Sequence, residues 1–402
     1  MSASEIDALF QRAVDDGVLP GVVAVAGDRD GERYEGAFGL LNVEGGASVQ
    51  PDTVFAIASM TKAITSVAAL QLMERGQLEL QQPVADVLPK FAELQVLEGF
   101  DGEQPRLRAP RTQATIRHLL THTSGLGYWF SNADLLRYHQ FSGIPDPTSG
   151  RLAMLDMPLA ADPGTRWEYG TSTDWLGQVI EAVSGEELGA YCQANVFGPL
   201  AMSDATFRPS EEQAARVMAM HSRTPDGGLV QVSLDFPEPE FASGAGGAYA
   251  TAPDYLRFMR ALLRGGELDG ERVLQAETVA LAFSDHLDGV PLPEVVRSAV
   301  PELTNDVLSL PVAQGFGLGF HIVLEDMPGM RRAGSGDWAG LFNCYYWIDG
   351  ASGLAGAVLT QVLPFFDARI VETAAAFEQL VYAQPSAAQP GDASAAHAAP
   401  TT

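Results

Sequence analysis

The spacing of apolar residues changes twice along this chain, and that change limits the fold more than any other feature. Val22-Val-Ala-Val-Ala-Gly and Glu32-Arg-Tyr-Glu-Gly-Ala-Phe-Gly-Leu read as two strands, joined by Asp28-Arg-Asp-Gly, a hairpin signal. Thr53-Val-Phe-Ala-Ile reads as a short strand. From Ser59 the period becomes helical. Ile64, Val67, Ala68, Leu70, Leu72 and Met73 fall on one face, and Gly76 is a fitting stop. Helices over 115–120 and 175–183 follow, in a stretch otherwise rich in loops. After the glycine cluster Ser243-Gly-Ala-Gly-Gly-Ala comes a helix with Tyr255, Phe258, Met259, Leu262 and Leu263 on one face. Strand patterns then return at Phe316-Gly-Leu-Gly-Phe-His-Ile-Val, Phe342-Asn-Cys-Tyr-Tyr-Trp-Ile and Leu354-Ala-Gly-Ala-Val-Leu-Thr. Residues 5–18, capped by Ser2 or Ser4, and residues 367–383 read as helices at the two ends.

Strands at both ends with helices between them predict one antiparallel sheet assembled from two halves of the chain, an α+β fold. The expected division is a discontinuous sheet subdomain over 1–60 and 241–384, a mostly helical subdomain over 61–240, and a disordered tail over 385–402. The tail is Ala, Pro, Ser, Gly and Thr with almost no large apolar residue. Two subdomains also suit 402 residues, beyond the roughly 250–300 at which one core stops growing.

Composition excludes several classes. The formal charge of −27 disfavours nucleic acid, which needs a basic surface. No apolar run approaches the roughly 20 residues that span a bilayer. The N-terminus has no basic stretch followed by an apolar one, so a cytoplasmic location is expected. Cys192 and Cys344 are two thiols, too few for a disulfide framework, and no metal-ligand spacing surrounds them. His118 and His122 are four apart without an intervening glutamate, and read as structural. No phosphate-binding loop or dinucleotide fingerprint occurs, so no cofactor is implied. No serine sits in Gly-x-Ser-x-Gly, which removes the α/β-hydrolase route. The oligomeric state is not legible.

Of the 24 cationic residues, 22 are arginines, and the lysines are Lys62 and Lys90. Arginine fills most structural cation roles but does not give up its proton, so it cannot serve as a base. Lys62 closes Ser59-Met60-Thr61-Lys62 where an apolar strand hands over to a helix. Residues i and i+3 share a helix face, so the amine reaches the hydroxyl. A serine in the first turn also meets the free N–H groups of the helix start, which favour a developing anion. A neutral lysine there can take the serine proton.

Two further segments join it. In Trp167-Glu-Tyr-Gly-Thr171, Tyr169 precedes a glycine and the polar start of a helix, where a phenol can enter a cleft and relay a proton. In Gly334-Ser-Gly-Asp-Trp338-Ala-Gly340-Leu-Phe, a glycine-rich edge just before a strand can bring a backbone N–H up to a substrate carbonyl.

In this order, Ser59-x-x-Lys62, Tyr169-x-Thr171 and Trp338-x-Gly340 resemble the three motifs of class C β-lactamases and penicillin-binding proteins. The resemblance runs most fully to the family VIII carboxylesterases and the fungal lovastatin-type acyltransferases, over about residues 8–384. It is supported by Ala69-Leu-Gln-Leu-Met-Glu-Arg-Gly, Leu97-Glu-Gly-Phe-Asp, Arg117-His-Leu-Leu-Thr-His-Thr-Ser-Gly-Leu and Phe316-Gly-Leu-Gly. It implies a β-lactamase/transpeptidase-like fold, Ser59 as nucleophile, Lys62 as base and Tyr169 sharing the proton traffic. The N–H groups of Ser59 and Leu341 would form the oxyanion hole. Trp338, Gly340, Tyr128, Trp129 and Thr171 would line the cleft.

Two departures narrow the expectation. Thr171 stands where the family often has Asn. Trp338, preceded by Asp337, stands where β-lactam enzymes carry the cation that binds a carboxylate. An aromatic and an acid there suit a neutral ester. The expected function is therefore a carboxylesterase working through an acyl-enzyme on neutral short-acyl esters. The alternative is an acyltransferase passing the acyl group to an alcohol. Lesser alternatives are a weak β-lactamase or D-peptidase, or a non-catalytic binding member of the fold. The expected partner is a small-molecule ester, with no nucleic acid, membrane or metal.

Overall fold

A computed structural model describes residues 3–233 and 238–384. The expected disordered tail over 385–402 and the cap at Ser2 lie outside the described residues. The chain opens with helix α1 (Ala3–Asp15) and the hairpin β1 (Gly21–Asp28) and β2 (Glu32–Gly39). Helix α2 (Thr61–Glu74) follows, then α3 (Ser172–Ser184) and α4 (Ala252–Leu263). Strands β3 (Gln314–Phe316), β4 (His321–Val323), β5 (Gly336–Gly340), β6 (Cys344–Asp349) and β7 (Leu354–Leu359) come next, and α5 (Ala368–Ala383) closes the chain.

One sheet of seven strands has the order β3-β4-β5-β6-β7-β1-β2, antiparallel throughout. The N-terminal hairpin joins the C-terminal strands through β1 on β7, with Val25 opposite Ala357. Strand β1 is buried on both faces, which explains its unbroken apolar run. Its side chains alternate. Val23 and Val25 enter the core shared with α2 and α4, while Val22, Ala24 and Ala26 meet Ile6 and Phe10 of α1 and Phe377 of α5. Phe10 and Phe377 sit with ring centroids 5.3 Å apart. Both are fully buried, so cutting either to alanine would remove about 3–5 kcal/mol.

Helix α2 is buried on every side from Thr61 to Leu72, as its largely apolar sequence requires. It therefore runs through the interior between the sheet side and α3, with Gly76 left-handed (φ 68°) beyond its end.

Three local readings are corrected. Phe316–Val323 is not one strand: β3 and β4 pair across a turn at Gly317-Leu318-Gly319. Gly319 has φ 95°, and a Cβ on Gly317 would lie 2.1 Å from the Ala282 carbonyl oxygen. The glycine-rich segment at 334–340 is not merely an edge before a strand: its residues 336–340 are strand β5 itself. The middle of the chain also holds a hairpin, Val96–Asp101 on Gln104–Arg108, whose polar sequence hides it. Among the described residues no helix is long and apolar enough to cross a membrane.

Candidate active site

Ser59 lies in a short 3₁₀ turn, Ala58–Met60, that leads directly into α2 at Thr61. The helix thus starts two residues later than the motif suggests. Ala58 carries φ 44°, a left-handed conformation that raises its energy by about 1–2 kcal/mol in a non-glycine residue. The turn lifts Ser59 to a half-buried position, while Lys62 stays 3% exposed.

The Lys62 Nζ donates to Ser59 Oγ at 3.1 Å. The Tyr169 hydroxyl donates to the same Oγ at 2.6 Å. Two other bonds fix the amine: to the Ala245 carbonyl at 2.9 Å and to the Tyr128 hydroxyl at 3.2 Å. Nζ also faces the rings of Tyr169 and Tyr128, at 4.8 and 5.3 Å from their centroids. The indole N–H of Trp338 donates to the Tyr169 hydroxyl at 3.3 Å. Three segments remote in sequence therefore meet on one hydroxyl.

Glycines make that meeting possible. A Cβ on Gly170 would lie 2.3 Å from the Leu126 carbonyl oxygen, so only glycine lets the Tyr169 segment lie against 126–128. The Tyr128 N–H then donates to the Tyr169 carbonyl at 3.0 Å, and the two rings meet edge-on at 5.1 Å. Burial, then the charge of Asp174, push the Tyr128 phenol well above its ordinary range, so it stays protonated. His122, buried and left-handed (φ 56°), packs under Tyr169 at 5.2 Å. Burial and the Lys62 charge hold that imidazole well below its ordinary range, hence neutral.

Ser59 borders a cavity of about 1060 Å³ that extends well beyond the serine, as far as Arg331, Trp347 and Glu378. Aromatic side chains line it near the serine: Tyr128, Trp129, Trp167, Tyr169 and Trp338. Leu341 also borders it. Thr171 and Gly340 do not line it. Thr171 is buried at the start of α3, where its carbonyl accepts the Asp174 N–H, and Gly340 packs under the serine turn. Asp337 is not a free acid in the cleft. It bonds His321 at 3.0 Å and pairs with Arg331 at 2.5 Å. Burial alone would raise its carboxyl, but these partners bring it below its ordinary range.

His118 takes part in a helix cap: the Thr115 N–H donates to its Nδ1 at 3.2 Å, and burial pushes the imidazole down to about 4. Both thiols are buried and unpaired, and among the described residues no three His, Cys, Asp or Glu side chains gather as a metal site would require. Sequence reasoning missed the grip of Tyr128 and Ala245 on Lys62. It also missed the far wall of the cavity, where Leu292, Val296 and Leu308 stand. The glycine cluster at 244–247 was the available signal for Ala245, and nothing local marks the others.

A seven-stranded antiparallel sheet thus lies over a buried helix that carries Lys62 directly after the turn of Ser59. The chain belongs to the Beta-lactamase family, which matches residues 6–380. It is 34% identical to monacolin J acid methylbutanoyltransferase of Aspergillus terreus, over 94% of this chain and 95% of that one. It is 31% identical to lovastatin esterase of Penicillium rubens, over 95% of this chain and 99% of that one. Simvastatin synthase from Aspergillus terreus superposes with a TM-score of 0.83 at 30% identity, over 96% of this chain and all of that one. The fold is thereby the β-lactamase/transpeptidase-like fold.

Proposed function

We propose that this protein is a serine enzyme of carboxylic esters that works through an acyl-enzyme on Ser59. The observation that carries the reading is the convergence of the Lys62 amine, at 3.1 Å, and the Tyr169 phenol, at 2.6 Å, on Ser59 Oγ. Oγ attacks the ester carbonyl and its proton passes to Lys62. The oxyanion is received by the N–H groups of Ser59 and Leu341, each such donor being worth roughly 10²–10³-fold in rate. Tyr169 hands a proton to the leaving alkoxide, which departs as the alcohol, and recovers it from the Lys62 ammonium. Water then enters, Lys62 takes its proton, and the acid is released with Ser59 restored.

Neutral esters are the favoured substrates. Trp338 offers an indole where a carboxylate-binding cation would stand, and the cavity near the serine is aromatic. The charge of Asp337 is answered by Arg331 and His321, so Trp338 carries this preference. β-Lactam and D-peptide turnover are correspondingly side activities.

Discharge to an alcohol in place of water is the second reading, and a specific observation favours it. The apolar wall at Leu292, Val296 and Leu308 extends the cavity beyond the serine and favours a bulky acceptor beside a short acyl group. Relatives of both names, a methylbutanoyltransferase and an esterase, support an enzyme of either kind.

The test is intact mass after mixing with a short-chain aryl ester, with and without a competing alcohol. A mass gain of one acyl group on Ser59, absent in Ser59→Ala, supports the reading. Faster discharge to alcohol than to water selects the transferase. Undiminished turnover by Ser59→Ala would overturn the assignment.

A further inference from the structure

We propose that Asp174 is the positioning residue for Lys62: it holds the turn that grips the amine and supplies the negative charge against which the ammonium forms. The inference rests on the reading of Lys62 as the base of an acyl-enzyme mechanism.

Asp174 stands in the first turn of α3 and is 1% exposed. A carboxyl so deeply buried is expensive unless its surroundings use it. Its Oδ1 accepts the Ser243 hydroxyl at 2.6 Å and the Ala245 N–H at 3.2 Å. Residue 245 then turns its own carbonyl to Lys62 Nζ at 2.9 Å. The turn is wedged from both sides. Thr65 of α2 donates to the Gly244 carbonyl at 2.8 Å, and a Cβ on Gly244 would lie 2.6 Å from the Thr173 carbonyl oxygen. Asp174 thus ties the helix behind Tyr169 to the helix that carries Lys62 and follows the turn of Ser59.

Two donors on one oxygen favour the carboxylate form. Burial holds the carboxyl above its ordinary range, and the Ser243 hydroxyl, Lys62 and the Ala245 N–H limit that rise. The titratable groups facing Lys62 are Tyr128 and His122 from the 121–130 segment, Tyr169, and Asp174 on α3. The phenol of Tyr128 and the imidazole of His122 are held neutral, so Asp174 supplies the balancing charge. When the Ser59 proton moves to Lys62, a neutral amine becomes an ammonium beside a fixed carboxylate. A buried acid steadies the imidazolium of a serine triad by the same logic.

The experiment is the pH profile of kcat and kcat/KM on p-nitrophenyl butyrate for wild type, Asp174→Asn and Ser243→Ala, with Ser59 labelling by a fluorophosphonate. Asn keeps the shape and the acceptor oxygen but loses the charge. Its kcat should fall 10- to 100-fold with KM little changed. The rising limb of kcat/KM should move to lower pH, because loss of a nearby negative charge disfavours the protonated form of a base. Ser243→Ala keeps the charge and loosens the turn, so its kcat should fall about tenfold with the limb unmoved. A wild-type profile in Asp174→Asn, or a fall with an unmoved limb, overturns the inference. If Asp174→Asn does not fold, a wild-type kcat in Ser243→Ala overturns it. Wild type that is neither labelled at Ser59 nor active sinks the function itself. A labelled wild type with an unmoved Asn profile sinks only the role of Asp174.

Discussion

Gly340 lies against Ile57 so closely that a Cβ on it would sit 2.4 Å from the Ile57 carbonyl oxygen. Ile57 immediately precedes the turn of Ser59, so this contact seats β5 on the backbone that leads into Ser59. Residues 338 and 340 point to the same side of the strand. The spacing Trp-x-Gly therefore has a mechanical reading: the glycine lets the strand in, and the tryptophan two residues earlier reaches Tyr169 above the serine.

Gly340→Ala should force strand and turn apart. Overpacking of this kind removes about 1–3 kcal/mol of stability. Activity should fall further than stability, at least tenfold, because the proposed oxyanion donors, the N–H groups of Leu341 and Ser59, would move apart. Urea unfolding and burst amplitude on the same preparation check it. Wild-type turnover with a lowered midpoint would detach the contact from catalysis.

Tyr169→Phe removes one hydroxyl and little volume. Loss of a positioned proton donor should slow acylation by about 10²–10⁴-fold with an unchanged melting temperature. Trp338→Phe keeps an aromatic wall but removes the N–H that bonds the Tyr169 oxygen at 3.3 Å. Its effect should be smaller, near tenfold, and should largely vanish when Tyr169 is already Phe. Stopped-flow bursts on the two single variants and the double variant test this. Additive losses would refute the coupling.

What the sequence made legible follows from range. Ser59 and Lys62 are three apart, so helical geometry alone brings them together. Tyr169 and Trp338 were readable as motifs because glycines beside them announce close approach. Tyr128 was expected only as a pocket wall, because no local pattern marks a tyrosine whose hydroxyl will meet an amine 66 residues earlier. The strand β5 was obscured by Gly336 and Gly340, which lower strand propensity yet are what tight packing there needs. In the cavity wall, Val296 and Leu308 come from two-residue strands, too short for any periodicity to show, and Leu292 from the loop before them.

Arg331 links the site to the closing helix. It pairs with Asp337 of β5 and with Glu378 of α5, each at 2.5 Å, and all three are largely buried. Arg331→Met would leave Glu378 without its cation and Asp337 with His321 alone, a loss of about 3–5 kcal/mol. Adding Asp337→Asn and Glu378→Gln should recover much of it. Chemical denaturation of the single and triple variants checks this. A single variant within about 1 kcal/mol of wild type would show that the ion pairs do not hold α5 to the sheet.

Asp254 makes the stability of the fold depend on pH in an unusual direction. It is buried in the first turn of α4, where its Oδ2 accepts the Asp204 N–H at 2.7 Å. Burial, reinforced by the Asp204 charge, pushes its carboxyl up to about 6. In the unfolded chain the group titrates near 3.9. Between about pH 4 and 6 the unfolded chain has released this proton while the folded one retains it, so stability falls as pH rises. Above about 6 both are ionised and the penalty is constant. Asp254→Asn keeps an acceptor and cannot titrate. Its stability relative to wild type should therefore rise between pH 4 and 6, by at most about 3 kcal/mol at roughly 1.4 kcal/mol per unit, and then level off. Urea midpoints taken at each pH from 4 to 8 measure that difference. A difference that stays flat across the range would mean that Asp254 is ionised in the fold as readily as in water.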